Sequence, residues 1–167
     1  MAWACWRKTL RNITPFLLQT EDHPEGAPRI IIEQNITAMQ QDRPRYLRSG
    51  AIKFSGLGSL WPWPDVQSPE MVQWGIQDCL ECSPKAAIEC TRTQGETDFR
   101  SDMRAFTVPT LIIHGDKDQS TPLELCGRRS AQAIAGSQLK VYEGGWHNVF
   151  FTHKDRLNDD LFAFIEG

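Results

Sequence analysis

Residues 108–122 read VPTLIIHGDKDQSTP and contain the strongest indications of secondary structure in the chain. Its residues 110–113 are apolar and mostly β-branched, and such a run is typical of a strand that is buried on both faces. Gly115 ends the run. After a polar loop, Thr121 is followed by a proline and an acid at the spacing of a capping box, which predicts a helix. The stretch therefore predicts a strand, a loop and a helix in that order.

The residues that follow repeat this pattern. Residues 138–142 (QLKVY) predict a second strand, which two glycines end. Thr152 and Asp155 have the spacing of a second capping box, which predicts a final helix. Four apolar side chains are expected to share one face of that helix: Leu157, Leu161, Phe162 and Ile165. Strands alternating with helices across short loops are typical of a parallel α/β sheet.

The upstream two-thirds of the chain predict mainly helices. Residues 1–28 look irregular and carry a polar run with prolines and a glycine, so we expect a connector there. Apolar residues at near-helical spacing from Pro28 to Gly50 predict one amphipathic helix. Ser68 and Ser83, each followed by proline, predict the starts of two more.

The composition excludes several classes of partner. A chain of 167 residues with 40% apolar residues is about one domain and can bury a core. Eighteen basic and 21 acidic residues leave a net charge of −3, so we expect neither a nucleic acid nor a membrane as partner. The odd number of five cysteines favours reduced thiols in the cytoplasm over a disulfide scaffold. The sequence leaves open whether the chain forms a homo-oligomer.

Two polar side chains follow the two predicted strands. Asp118 comes after the first strand and His147 after the second. In open α/β sheets, ligands bind beyond the carboxyl ends of the strands, so these side chains can meet there if the strands are neighbours. A carboxylate on an imidazole is the orienting half of a Ser-His-Asp relay. An aspartate in such a loop is also commonly a simple turn residue.

Longer stretches of the chain resemble one family. GRRSAQAIAGSQLKVYEGGWH and THKDRLNDDLFAFI, together with the opening stretch, closely resemble the carboxyl-terminal portion of the cofactor-free haloperoxidases and esterases of the α/β-hydrolase superfamily. ITPFLLQTEDHPEGAP resembles more loosely the segment that leads into the family's helical cap. The resemblance implies a partial α/β-hydrolase fold, in which the last parallel strands and helices of the core follow a cap. The expected domains are a connector at 1–28, a helical cap at 29–95 and a carboxyl-terminal α/β-hydrolase core at 96–167.

The resemblance also implies a chemistry. The family's acid lies three residues after the glycine of an H-G-x-x-D pattern, which corresponds to Asp118 and not Asp116, and its histidine corresponds to His147. The implied reaction is hydrolysis of a small-molecule carboxylic ester, with a side reaction in which a carboxylic acid and peroxide give a peracid that oxidises halide. No haem, metal or other cofactor is implied. The family usually has proline before the histidine and often glycine after it, where this chain has Trp146 and Asn148.

The nucleophile of such an enzyme has no counterpart in the sequence. Ser59 in GLGSL is the nearest imitation of the G-x-S-x-G pattern, but its glycine spacing differs and no apolar strand directly precedes it. Cys126 falls in a predicted helix, where a thiol is more often core filler than a nucleophile. We therefore expect the serine and the oxyanion hole to be missing from this chain, which alone should be inactive. The alternative is a truncated or binding-only hydrolase-like protein.

Two other groups of residues have simpler interpretations. Cys79, Cys82 and Cys90 could suggest a metal site, but a proline interrupts the helix between them and no fourth ligand is near, so we predict core cysteines. The aromatic residues near the middle of the chain fit either an apolar pocket or packing within the cap. They are Phe54, Trp61, Trp63 and Trp74.

Overall fold

The computed structural model of the chain describes residues 8–11, 14–56 and 67–167. The chain divides into two compact units. The sheet unit consists of Met1–Pro15 and Phe99–Gly167, and the helical unit consists of Phe16–Asp98. Within the described ranges, no helix is both long and apolar enough to cross a membrane.

The described part of the sheet unit contains three parallel strands. They are β1 (Lys8–Arg11), β2 (Thr110–Gly115) and β3 (Gln138–Tyr142), in the order β1-β2-β3. All six residues of the central strand β2 are buried. The predicted parallel sheet and its doubly buried strand are thus confirmed. The strand β1 was not predicted, because four residues with a single apolar side chain, Leu10, carry too little signal against a polar background.

Helices cover the two faces of this sheet. Those among the described residues of the unit are α5 (Arg100–Arg104), α6 (Gly127–Ala133), α7 (Val149–Thr152) and α8 (Lys154–Glu166). On one face Ile112 packs with Met103 of α5 and with Ile134, which follows α6. On the other face Leu111 and Ile113 pack with residues that include Phe164 of α8. The alternation of side chains along β2 therefore builds a core on each side of the strand.

Neither predicted capping box forms in the sheet unit. The helix α6 begins at Gly127, because the hydroxyl of Thr121 donates to Asp118 instead of capping a helix. Thr152 lies inside α7, and α8 begins without a side-chain cap. The predicted apolar stripe of α8 is only partly correct. Its Leu157 and Leu161 pack on the core, but Phe162 and Ile165 remain 64% and 63% exposed.

The described part of the helical unit contains four helices of 13 residues. They are α1 (Arg29–Gln41), α2 (Arg43–Ser55), α3 (Pro69–Glu81) and α4 (Pro84–Glu96). The single helix predicted from Pro28 to Gly50 is wrong. It is split at Asp42, whose side chain caps α2 by accepting from the amide of Arg45 at 3.0 Å. Ser68 and Ser83 cap α3 and α4, as predicted.

The buried core of the helical unit includes residues that were expected to be connector. Phe16 and Leu18 pack with apolar side chains of α1, namely Ile32, Ile36 and Met39. The stretch at 1–28 therefore contributes both the strand β1 and part of this core. The composition of this stretch is polar and rich in turn residues, so the sequence predicted neither the short strand nor the buried core residues.

Candidate active site

The loop after β2 folds around the carboxylate of Asp118. One oxygen, Oδ1, accepts hydrogen bonds from the backbone amides of Ser120 at 2.9 Å and Thr121 at 2.8 Å. This is the local turn chemistry by which aspartate commonly shapes a loop. The side chain is fully buried. These two bonds leave the second oxygen, Oδ2, to face the next loop.

The loop after β3 is hydrogen-bonded to the loop after β2. The amide of Lys117 donates to the carbonyl of Gly145 at 2.9 Å, and the amide of Gly144 donates to Oδ1 of Asp116 at 2.8 Å. The backbones approach so closely at Gly115 that a Cβ there would lie 2.1 Å from the carbonyl oxygen of Gly145. Only glycine fits such a contact. Since the two strands are adjacent and parallel, their carboxyl ends hold both loops at one edge of the sheet.

The two predicted site residues meet at this edge. Nδ1 of His147 lies 2.9 Å from Oδ2 of Asp118. The hydroxyl of Thr121 donates to the same oxygen at 2.8 Å and lies 3.1 Å from Nδ1 of His147. The imidazole is 19% exposed. The geometry expected for an acid and its histidine is therefore present, and the catalytic roles of the two residues stay predictions.

The surroundings of Asp118 favour its charged form. Burial alone would raise the pKa of this carboxyl group, but the hydrogen bonds from His147 and Thr121 and the field of the imidazole hold the pKa below its ordinary value of 3.8. The carboxylate is therefore ionised at neutral pH. An ionised acid can orient an imidazole and stabilise it when it takes up a proton.

A second histidine lies behind the carboxylate. His114, the fifth residue of β2, is fully buried, and its Nε2 lies 2.7 Å from the carbonyl of Thr121 and 3.5 Å from Oδ2 of Asp118. Because a carbonyl only accepts, Nε2 carries the proton. Burial lowers the pKa of His114, which favours the neutral ring. The sequence places this histidine at the end of the predicted strand, but it contains no signal for the contact with the acid loop.

The other candidates from the sequence lie elsewhere. Cys126 is buried, its Sγ lies 3.0 Å from the hydroxyl of Thr14, and burial raises the pKa of the thiol to about 11, so it is poorly suited to nucleophilic attack. Ser59, Trp61 and Trp63 lie outside the described residues.

The prediction of core cysteines in the helical unit is wrong. Cys79, Cys82 and Cys90 are all exposed, because they lie on the solvent side of α3 and α4 and at the junction between them. The described ranges contain no group of three or more metal-ligating side chains. Trp74 of α3 is 55% exposed and Phe54 of α2 is 36% exposed, so neither is part of the buried core of the helical unit.

Comparisons with known proteins agree on the kind of protein. No protein-family model matches the chain. A non-heme haloperoxidase of Rhodococcus erythropolis is 34% identical over 156 residues, which are 93% of this chain and 56% of the relative. A bifunctional esterase/perhydrolase of Acinetobacter calcoaceticus is 29% identical over 156 residues, covering 93% of this chain and 55% of the relative. The chain thus spans about half the length of the curated relatives it matches.

The fold gives the same result. The crystal structure of a bromoperoxidase from Bacillus anthracis matches with a TM-score of 0.88 and 31% identity, over 96% of this chain and 58% of the bromoperoxidase chain. The expected fold class is confirmed, and the matched part corresponds to the carboxyl-terminal half of such proteins. The chain has the fold of the carboxyl-terminal half of an α/β-hydrolase and is similar in sequence to the non-heme haloperoxidases and esterases of that superfamily.

Proposed function

We propose that this chain supplies the acid and the base of a Ser-His-Asp relay that hydrolyses small carboxylic esters. The 2.9 Å contact between Nδ1 of His147 and Oδ2 of Asp118 carries the proposal. Two features support it: the contact lies at the carboxyl ends of adjacent parallel strands, and Asp118 precedes His147 in the chain, as in α/β-hydrolases.

In the proposed reaction, His147 moves the protons. A serine supplied from outside this chain attacks the ester carbonyl while Nε2 of His147 takes the serine proton, and the imidazolium then protonates the departing alcohol. Water, deprotonated by the same nitrogen, attacks the acyl-enzyme and releases the carboxylic acid. Asp118 keeps the proton of the neutral ring on Nδ1, so that Nε2 carries the lone pair that a base needs.

A perhydrolase side reaction belongs to the same proposal. When hydrogen peroxide replaces water as the attacking group, the acyl-enzyme gives a peracid in place of the acid. The peracid transfers an oxygen atom to halide, forming hypohalous acid and returning the carboxylate. The relatives described as an esterase/perhydrolase and a haloperoxidase support this extension. The proposed reaction uses no cofactor.

The second candidate is a hydrolase-like chain without catalysis of its own. The observation that favours it is the lack of a G-x-S-x-G pattern in the sequence. A serine-directed fluorophosphonate probe distinguishes the chain's own activity from activity that needs a supplied serine. We expect no labelling of the isolated chain, and labelling at Ser59 would refute the missing-nucleophile interpretation.

We also propose a cytoplasmic location, since the four described cysteines are free thiols.

The experiment supplies the missing part. The unmatched amino-terminal portion of the Rhodococcus haloperoxidase, fused upstream of Lys8, should give a protein that reacts with fluorophosphonate and cleaves p-nitrophenyl acetate. In this fusion, D118N should lower kcat by about 10⁴-fold, as for the buried acid of a serine protease. H147A should lower kcat by about 10⁶-fold.

Matched variants separate the relay from loop damage. Asp116 lies two residues from Asp118 and accepts a loop hydrogen bond that an asparagine can also accept, so D116N should keep activity within about twofold. H153Q replaces another imidazole of the sheet unit and should do the same. A fusion that keeps its activity in H147A, or loses as much activity in D116N as in D118N, contradicts the proposed function.

A further inference from the structure

We propose that Thr121 is a positioning residue of the Asp118–His147 pair, whose hydroxyl orients the carboxylate and holds the imidazole in the Nδ1–H tautomer. Its consequence for catalysis rests on the proposed function above. The side chain of Thr121 touches both members of the pair, because its hydroxyl oxygen lies 2.8 Å from Oδ2 of Asp118 and 3.1 Å from Nδ1 of His147.

The positions of the protons follow from an inventory of donors and acceptors. The ionised carboxylate only accepts, so the single hydroxyl proton of Thr121 points to Oδ2 of Asp118. The lone pairs of that hydroxyl then face Nδ1 of His147. A proton on Nδ1 can be shared between Oδ2 and the threonine oxygen, whereas a bare Nδ1 would face two acceptors. Thr121 therefore adds to the preference for the tautomer that a general base needs.

The backbone of Thr121 is held in place on both sides. Its amide donates to Oδ1 of Asp118 at 2.8 Å, and its carbonyl accepts from Nε2 of the buried His114 at 2.7 Å. The hydroxyl, the amide and the carbonyl of one residue thus all take part in the hydrogen bonds around the acid. This arrangement also explains why the predicted helix does not start here, since the capping hydroxyl is used at the site.

A purely local turn would not need the hydroxyl. The turn is already closed by the amides of Ser120 and Thr121, which both bind Oδ1. The hydroxyl binds the other oxygen, the one that faces His147. Its removal should therefore act on the pair and leave the turn in place.

The test compares T121V with T121S in the full chain by NMR. Valine keeps the shape of threonine without the hydroxyl, and serine restores the hydroxyl. The ¹⁵N shifts of the His147 ring report the tautomer of the neutral form. We expect T121V to reduce the Nδ1–H to Nε2–H ratio by about fivefold, which corresponds to one ordinary hydrogen bond, and T121S to restore it. A ¹³C titration should show a higher pKa for Asp118 in T121V than in the unaltered chain.

A matched control removes a threonine–aspartate hydrogen bond of the same kind in the helical unit. There the hydroxyl of Thr20 donates to Oδ1 of Asp22 at 2.6 Å, in an exposed turn. T20V deletes this bond and should change neither the tautomer of His147 nor the titration of Asp118. If T20V moved both readouts as far as T121V does, the effect would not be specific to the pair and the proposal would be overturned.

The unaltered chain is itself a test, should T121V fail to fold. A neutral His147 ring that carries its proton on Nε2 would overturn the proposal without any variant. So would a T121V chain that folds and keeps both the tautomer ratio and the Asp118 titration of the unaltered chain. These readouts need no substrate. A fusion protein without esterase activity would therefore refute the proposed function while leaving the positioning role standing. A folded T121V chain whose tautomer ratio and Asp118 titration are unchanged would refute the positioning role alone.

Discussion

Replacing Asp118 by asparagine should destabilise the sheet unit by about 2 kcal/mol at neutral pH. Asparagine keeps an oxygen for the two backbone amides of the turn, but the charge on the other side, facing Thr121 and His147, is lost. A hydrogen bond to a charged group contributes about 1.5–3 kcal/mol and one between neutral groups about 1 kcal/mol. In D118N the amide nitrogen faces Thr121 and His147, and it donates where the carboxylate oxygen accepts. Two charge-assisted bonds are therefore replaced by neutral bonds of the opposite direction, which accounts for the expected cost.

The pH dependence of this difference has a definite sign. The folded-state pKa of Asp118 lies below its ordinary value of 3.8, so the carboxylate stabilises the fold above that value. As pH falls from 3.8 through the folded-state pKa, the stabilisation is lost, and the difference between the unaltered chain and D118N should shrink. Urea unfolding of the unaltered chain and of D118N, followed by the NMR amide signals of β2, measures this difference in the free energy of unfolding. D116N serves as the control. A difference below about 0.5 kcal/mol at neutral pH, or one that persists on acidification, would show that the charge of Asp118 does not stabilise the fold.

Three further predictions concern packing and reactivity. G127A should destabilise the sheet unit by about 1–3 kcal/mol in urea unfolding, because a Cβ there would lie 2.6 Å from Nδ1 of His114. G75A should instead stabilise the helical unit by about 0.5–1 kcal/mol, because this position in α3 has open space around it and alanine favours a helix more than glycine does. I112A should cost about 2–5 kcal/mol, since the side chain is fully buried, and a cost below about 1 kcal/mol would contradict the assigned core. Cys126 should resist alkylation until the chain unfolds, while the exposed thiols of the helical unit react at once, as peptide mass mapping can measure.

The elements that could be predicted from the sequence are those whose signal is strong and local. Residues 111–113 are apolar throughout and follow a β-branched threonine, so β2 is evident as a buried strand. Ser68 and Ser83 each precede a proline, and both cap the helices they predict. The pair of Asp118 and His147 could be predicted because each directly follows a strand, and parallel neighbours bring their carboxyl ends to one edge.

The elements that were missed depend on contacts that no local pattern contains. β1 is defined by its pairing with β2, since its own four residues hold one apolar side chain. Asp42 and Pro44 are typical of a helix start, and this local pattern could have predicted the break within the single helix. Phe162 and Ile165 fit a helical stripe but stay exposed, because helical spacing specifies a face and not what covers it.

The hydrogen bonds of Thr121 were the main omission at the site. Its position before a proline and three residues before an acid favours a helix cap, and the sequence contains nothing that ranks this cap against a bond to Asp118. The one available signal was the short spacing from Asp118 to Thr121, which is typical of a turn closed by an aspartate side chain. The contact of His114 with this loop needed the three-dimensional structure, because it depends on the path of the loop back over β2.

The hydrogen bond between Asp118 and His147 underlies the proposed function, and the Nδ1 proton of His147 is its decisive test. In a chain labelled with ¹⁵N-histidine, we expect a strongly deshielded, slowly exchanging proton on Nδ1 of His147 that is lost in D118N and kept in D116N. If this proton is absent from the unaltered chain, or persists unchanged in D118N, Asp118 and His147 do not form the pair.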